Sequence, residues 1–262
     1  MDFKTLFHEK KAIIGMVHLL PLPGSPAYGG NLEAIWQRAK EDLSRLTQGG
    51  VSAAIVENFS DIPYTTDLCP TAVNAMAILL DRLQQEARIP LGVNVHYNCT
   101  DSEWDLAYLT DCAFLRVEAF VENRVGPQGI SWASAPTLLR RKATLPCDAM
   151  IFADINVKHT FPMVDQPISF SIESAKESGA DAIIITGMKT GNIPKLSDVR
   201  EARKSAGELP ILIGSGISES TISDYLTVAD GVIVGSSIKE DGNVWNPVDV
   251  TRVRSLMAQV GA

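Results

Sequence analysis

Two short passages decide the architecture: Ile211-Leu212-Ile213-Gly214-Ser215-Gly216 and, one helix-length interval later, Val232-Ile233-Val234-Gly235-Ser236-Ser237. Each is an apolar run that ends abruptly in a Gly/Ser turn. The runs are uninterrupted rather than alternating, as expected of strands buried on both faces of a parallel sheet. Working outward, the same unit recurs at residues 13–17, 53–56, 91–95, 114–117, 150–155 and 182–185. Eight such runs, each followed by room for a helix, is the number a closed barrel needs. The 262 residues of the chain also match the roughly 250 typical of that fold. The reading is an α/β chain forming a single (β/α)8 TIM barrel of eight parallel strands. No linker or shift in composition divides it, so residues 1–262 are expected to form one domain.

The intervals between runs carry helix punctuation. Leu32, Ile35, Ala39, Leu43 and Leu46 fall on one helical face, and Gly49-Gly50 stops that helix. Thr100 with Glu103 reads as a capping box opening the third helix. Asn246 followed by Pro247 reads as N-cap and first position of the last one. Ser178-Gly179-Ala180-Asp181 ends the fifth helix before the sixth strand. Residues 50–56 and 179–185 share a faint internal pattern, which half-barrel symmetry or similar local demands at each junction would explain equally.

Composition narrows the function classes. Hydrophobic residues make up 45% and charged ones 21%, an ordinary globular balance. The formal net charge of −8 argues against nucleic acid, whose binding rests on clustered Lys and Arg, and does not favour docking on an anionic membrane. A local basic pocket for a small phosphate is compatible with it. Cys69, Cys99, Cys112 and Cys147 are scattered with no CxxC pair, so reduced thiols and a cytoplasmic location are expected, with peripheral membrane association left open. Lys10-Lys11 before the apolar residues 12–20 imitates a signal peptide, but cleavage would remove the first strand. No transmembrane segment is expected, because Pro21, Pro23 and Pro26 with four glycines break the uncharged stretch 12–32.

The opening passages also point to a ligand. In barrels of this type the loops after strands seven and eight commonly bind phosphate, with a short helix N-terminus. Glycine lets the backbone approach the anion, and exposed N–H groups point at its oxygens. Gly214, Ser215, Gly216, Gly235, Ser236 and Ser237 are therefore the expected phosphate site. One Gly/Ser turn alone would signify only a tight βα connection, whereas two in consecutive places carry the reading.

Active sites of this fold lie at the C-terminal strand ends, so polar residues that finish apolar runs are the chemical candidates. They are His18, Glu57 with Asn58, Asn94 with His96, Arg116 with Glu118, Asp154 with Lys158 and His159, and Thr186 with Lys189. Proton abstraction beside a carbonyl suits this set: Asp154 or Glu57 as base, and Lys158 stabilising an enolate or forming a Schiff base. His18, Glu57, His96, Asp154 and His159 are alternatively able to hold a divalent metal, although their separations match no metal motif. Arg116 and Glu118 share one side of a strand, and pairing with each other is the structural alternative. The Pro/Gly-rich residues 21–30 read as an ordered lid or as a rigid turn.

Taken together these residues resemble the BtpA family, known as photosystem I biogenesis proteins. The resemblance rests on Gly15-Met16-Val17-His18-Leu19 through Pro21-Leu22-Pro23-Gly24-Ser25-Pro26, and on Val56-Glu57-Asn58 with Asp61-Ile62-Pro63-Tyr64. Gly92-Val93-Asn94-Val95, Ala153-Asp154 with Val157-Lys158-His159, and Thr186-Gly187 with Thr190-Gly191 extend it. Both Gly/Ser turns complete it, the second continuing through Ile238-Lys239 to Asn246-Pro247-Val248-Asp249. It implies a barrel related to phosphate-binding enzymes and a role in accumulating photosystem I proteins, but no reaction. His96-Tyr97 stands where members usually carry Leu-Arg, and residues 121–126 depart from the usual loop.

Three functions follow as expectations. The first is an enzyme of isomerase or lyase type acting on a phosphorylated small molecule such as a sugar phosphate. The second is a non-catalytic factor whose partners are photosystem I assembly components, and the third is a barrel binding flavin mononucleotide on the same turns. The cofactor is otherwise undetermined, and a homo-oligomer is compatible with all three. Barrels host many chemistries, so the fold alone does not choose.

Overall fold

The computed structural model describes residues 2–8, 10–187 and 192–260. Eight parallel strands close a barrel: β1 (Ala12–His18), β2 (Ala53–Glu57), β3 (Leu91–Asn94), β4 (Phe114–Val117), β5 (Met150–Ile155), β6 (Ala182–Ile185), β7 (Ile211–Ile213) and β8 (Gly231–Val234). Neighbours around the ring are neighbours in sequence, and β8 returns to β1 with Ala12 beside Gly231. Helices Leu32–Gly49, Pro70–Glu86, Thr100–Thr110, Ala135–Thr144, Ile168–Glu177, Leu196–Ala206, Ile222–Leu226 and Val250–Met257 follow the eight strands in turn.

Every strand residue is buried. Ile13, Val17, Ala54 and Val56 point outward to the helices, while Ile14, Met16, Ala53, Ile55, Phe114 and Phe152 fill the interior. This double burial is the physical reason the strands read as continuous apolar runs. A short helix, Phe3–Leu6, is capped by Asp2 and joins the interior cluster, with the Phe3 ring 5.7 Å from that of Phe152. Interior space is tight: a Cβ on Gly92 would lie 2.2 Å from the Phe114 ring.

Two expected helix starts are corrected. Cys99, not Thr100, occupies the N-cap, and no side chain caps there. The Glu103 carboxylate instead accepts from the Val95 N–H at 2.5 Å and from Asn94 Nδ2 at 3.0 Å, serving the end of β3 where the ladder stops. The last helix begins at Val250, with Asp249 as N-cap accepting from the Thr251 N–H. Asn246 and Pro247 lie earlier, in a loop closed by a bridge between Lys239 and Val248. The Gly49-Gly50 stop is as expected: Gly50 has φ +93° and its N–H returns to Leu46 and Thr47.

Over the mouth, the loops after β4 and β5 build a three-stranded antiparallel sheet from Arg124–Gly126, Gly129–Ser131 and Phe161–Pro162. Arg124 is buried between them and donates to Glu122, Asn156 and Thr160. Residues 21–30 are tied to the rim, with Leu22 fully buried and its N–H donating to Asp61 at 2.7 Å.

Candidate functional site

At the C-terminal mouth both Gly/Ser turns meet four of the expected chemical residues. A cavity of about 230 Å³ is lined by Gly214, Ser215, Gly216, Gly235, Ser236 and Ser237 on one side and by His18, Glu57, Arg116 and Lys158 on the other. The turn after β8 is a single 3-10 turn, Ser236–Ile238, whose opening N–H groups have no acceptor within the turn. The helix after β7 begins only at Ile222 and spans five residues, so the expected helix N-terminus is not what faces this cavity.

The six turn residues do different things. A Cβ on Gly235 would meet nothing closer than 3.6 Å, from His18 and Met16, so this position accommodates a methyl group in ordinary contact. Gly216, at φ +74°, lies against the backbone of residues 192–193, where a Cβ would be 2.3 Å from the Ile193 nitrogen. Gly214 faces inward, against Ile184 and Thr186. The Ser215 hydroxyl accepts from the Gly187 N–H and donates to the Asn192 carbonyl, both at 2.8 Å, so it braces two loops. Ser237 Oγ is buried with no hydrogen-bond partner among the described residues.

Beneath this surface lies a network of buried charge. His96 bonds Glu57 Oε1 through Nε2 at 3.1 Å and Glu118 Oε1 through Nδ1 at 2.5 Å. Burial disfavours its charge, yet the two carboxylates outweigh burial and push its pKa up to about 10. Burial likewise works against the Glu57 carboxylate, but His96, His18 and Arg116 pull it below the ordinary range. Glu57 Oε2 has no partner among the described residues. His18, 3.7 Å from Glu57, is pushed down to about 3 by burial and is neutral.

The expected pairing of Arg116 with Glu118 is replaced by another. Arg116 Nε and Nη2 donate to Asp154 at 3.0 and 3.3 Å, while Glu118 takes His96, Asn94 and the Asn98 N–H. Asp154, 1% exposed, is not among the side chains lining the cavity; it holds Arg116, which does line it. Burial outweighs the Arg116 charge and hydrogen bonds and raises the Asp154 carboxyl above its usual value. Lys158 lies in the cavity wall, its pKa lowered by burial and by Arg116. Thr186 accepts the Lys158 backbone N–H at 3.1 Å and so places that residue.

Other expected residues are structural. Asn58 is fully buried and bonds Asp61 and the His96 backbone, and Asn94, also fully buried, bonds Glu103, Glu118 and the Arg116 carbonyl. His96 and His159 line a second cavity, of about 360 Å³, that adjoins the first. Lys189 lies outside the described residues. Among the described residues no three His, Cys, Asp or Glu side chains are arranged to hold a metal ion; Glu57 and Asp154 are engaged with His96 and Arg116 instead. Phe59, which stacks on His18 at 4.2 Å and lines both cavities, was not signalled by charge or glycine pattern.

The sequence model of the BtpA family matches residues 9–262. The chain belongs to the BtpA family. This BtpA-family chain is 38% identical over 259 residues to the photosystem I biogenesis protein BtpA of Synechocystis, covering 98% of this chain and 90% of that protein. It is 34% identical over 246 residues to an uncharacterized protein of Pyrococcus abyssi, covering 94% of each. Among solved structures it resembles the thiamine phosphate pyrophosphorylase (TM-score 0.59, 14% identity, 97% of each chain) and the N-(5′-phosphoribosyl)anthranilate isomerase (TM-score 0.56, 11% identity, 95% of this chain and 98% of that one), both of Pyrococcus furiosus. At these identities the likeness establishes the TIM-barrel fold. None of the described helices is long and apolar enough to cross a membrane.

Proposed function

We propose that this BtpA-family barrel is an enzyme that holds a phosphorylated small metabolite on its two Gly/Ser turns and works on it by acid/base chemistry of the isomerase or lyase type. The observation that carries the reading is one cavity lined by both turns together with Glu57, Arg116 and Lys158. The Ser236 and Ser237 backbone N–H groups and the Ser236 hydroxyl supply neutral donors for the phosphate. Glu57, ionised and in the cavity wall, is the carboxylate placed to take a proton from carbon beside a carbonyl. Lys158 and Arg116 face the same space and stabilise the enolate oxygen that this creates. Return of the proton at the neighbouring carbon completes an isomerisation, and loss of a β-substituent completes an elimination. Asp154 acts through Arg116 as a positioning residue. The names of two barrels of the same fold, a thiamine phosphate pyrophosphorylase and a phosphoribosylanthranilate isomerase, agree with phosphorylated ligands.

The name of the Synechocystis relative favours a second reading, a photosystem I assembly factor. Two measurements test the enzymatic reading. Ribose 5-phosphate should bind by calorimetry, and Ser236→Asp, which places a carboxylate beside the anion, should weaken it about tenfold or more, since like charges at about 4 Å repel by up to about 4 kcal/mol near a protein surface. Glu57→Gln and Lys158→Met, expressed at wild-type levels, should fail to complement a deletion strain; full complementation by both would hand the function to the assembly-factor reading.

A further inference from the structure

We propose that the ligand carries, beyond its phosphate, a planar aromatic or heteroaromatic ring that occupies the second cavity; this rests on the phosphate reading above. The two cavities meet along one seam, because Phe59, Arg116 and Lys158 line both. A molecule anchored at residues 235–237 therefore projects its far end past that seam. The space beyond is larger, about 360 Å³ against about 230 Å³, and it is walled differently. Phe59, Ile62, Pro63, Tyr64, Tyr97 and Val157 give it flat or apolar faces. The Tyr64 ring lies 4.7 Å from that of His96, and Tyr97 lies 6.0 Å from His96 at an interplanar angle of 13°.

In this second wall His96 and Glu118 are committed to each other and Arg116 to Asp154, while Lys158 stands at the seam. His96 is held by Glu57 and Glu118, and Glu118 accepts from His96, Asn94 and the Asn98 N–H. Hydroxyls of a simple sugar phosphate pressed against such walls would lose water for little return, which costs free energy. A ring loses little hydration there and gains stacking and apolar contact. The mouth thus divides labour: neutral donors for the phosphate, cations and Glu57 at the seam where chemistry occurs, and aromatic walls for the ring.

Calorimetry on the wild-type chain with inorganic phosphate, ribose 5-phosphate, uridine 5′-monophosphate and adenosine 5′-monophosphate tests this directly. One ring-bearing ester at least should bind about tenfold tighter than ribose 5-phosphate, the equivalent of about 1.4 kcal/mol. Tyr64→Ala and Ile62→Ser should each cut that ratio; Ile62 is about half exposed, so its variant reports even if Tyr64→Ala unfolds. Ring-bearing esters that bind no tighter than ribose 5-phosphate overturn the ring and leave the phosphate reading standing. A ratio that survives in both variants overturns the placement. Binding of none of the four removes the phosphate reading itself.

Discussion

Breaking the Arg116–Asp154 pair should damage stability unequally from its two sides. Both side chains are almost completely buried, at 3% and 1% exposure, and two hydrogen bonds join them. Removing one partner of a buried pair costs about 3–5 kcal/mol, because the other is left charged and uncompensated. Asp154→Leu leaves Arg116 charged, because a guanidinium does not give up its proton, and Glu57 and Glu118 nearby offset that charge only in part, so the loss should approach about 5 kcal/mol. Arg116→Met leaves Asp154 beside Glu118, and its carboxyl, already raised by burial, relieves the charge by taking up a proton, which moderates the loss toward about 3 kcal/mol. At about 2–4 °C per kcal/mol for a chain of this size, Asp154→Leu should lower Tm by about 10 °C or more. The double variant should be less destabilised than the sum of the singles by about 2 kcal/mol or more, read from urea midpoints in a double-mutant cycle. Singles within about 1 kcal/mol of wild type, or strictly additive losses, would refute a buried, mutually dependent pair.

Two other outcomes follow from the geometry. The His96 pKa, raised from the usual imidazole value to about 10 by Glu57 and Glu118, stabilises the fold fully below about pH 6.5 and loses that contribution as pH rises toward 10. Wild type should therefore lose stability between pH 7 and 10, and His96→Gln, less stable at neutral pH, should show a flatter profile in urea titrations; parallel profiles would mean that His96 is neutral in the fold. Gly216→Ala should lower Tm sharply because a Cβ meets backbone at 2.3 Å, whereas Gly235→Ala, whose Cβ sits at an ordinary contact distance of 3.6 Å, should fold like wild type. Equal Tm values for the two would contradict the close approach of the loops after β6 and β7.

The strands were legible because each is buried on both faces, and the structure shifts their ends by about one residue: β1 runs from Ala12 to His18 rather than over 13–17. The two Gly/Ser turns were legible as turns for a related reason, since glycine and serine directly after a buried run mark the point where the strand ends. What failed was the assignment of roles among polar strand ends. Asp154 and Asn94 finish apolar runs as Glu57 does, but the stagger between neighbouring strands sets them under the cavity floor, facing Arg116 and Glu103. Sequence parity places Arg116 and Glu118 on one side of β4 and says nothing of which neighbour each meets. The small sheet over the mouth was missed because strands of two or three residues have no periodicity to read. Phe59 was missed because an aromatic residue in a loop looks the same whether it lines a cavity or packs in the core.

The notch at Gly92 bears on how this sequence is free to drift. Phe114 occupies the volume that a methyl group on residue 92 would need, and its ring stacks on Phe152 at 4.6 Å. Neither position is therefore inherited alone. A lineage that gains a side chain at 92 must give up bulk at 114, and one that shrinks 114 first opens a void that favours growth at 92. The two residues, on adjacent strands but 22 positions apart in the chain (114 − 92), form one unit of variation in the barrel interior, shielded from whatever selection acts at the mouth.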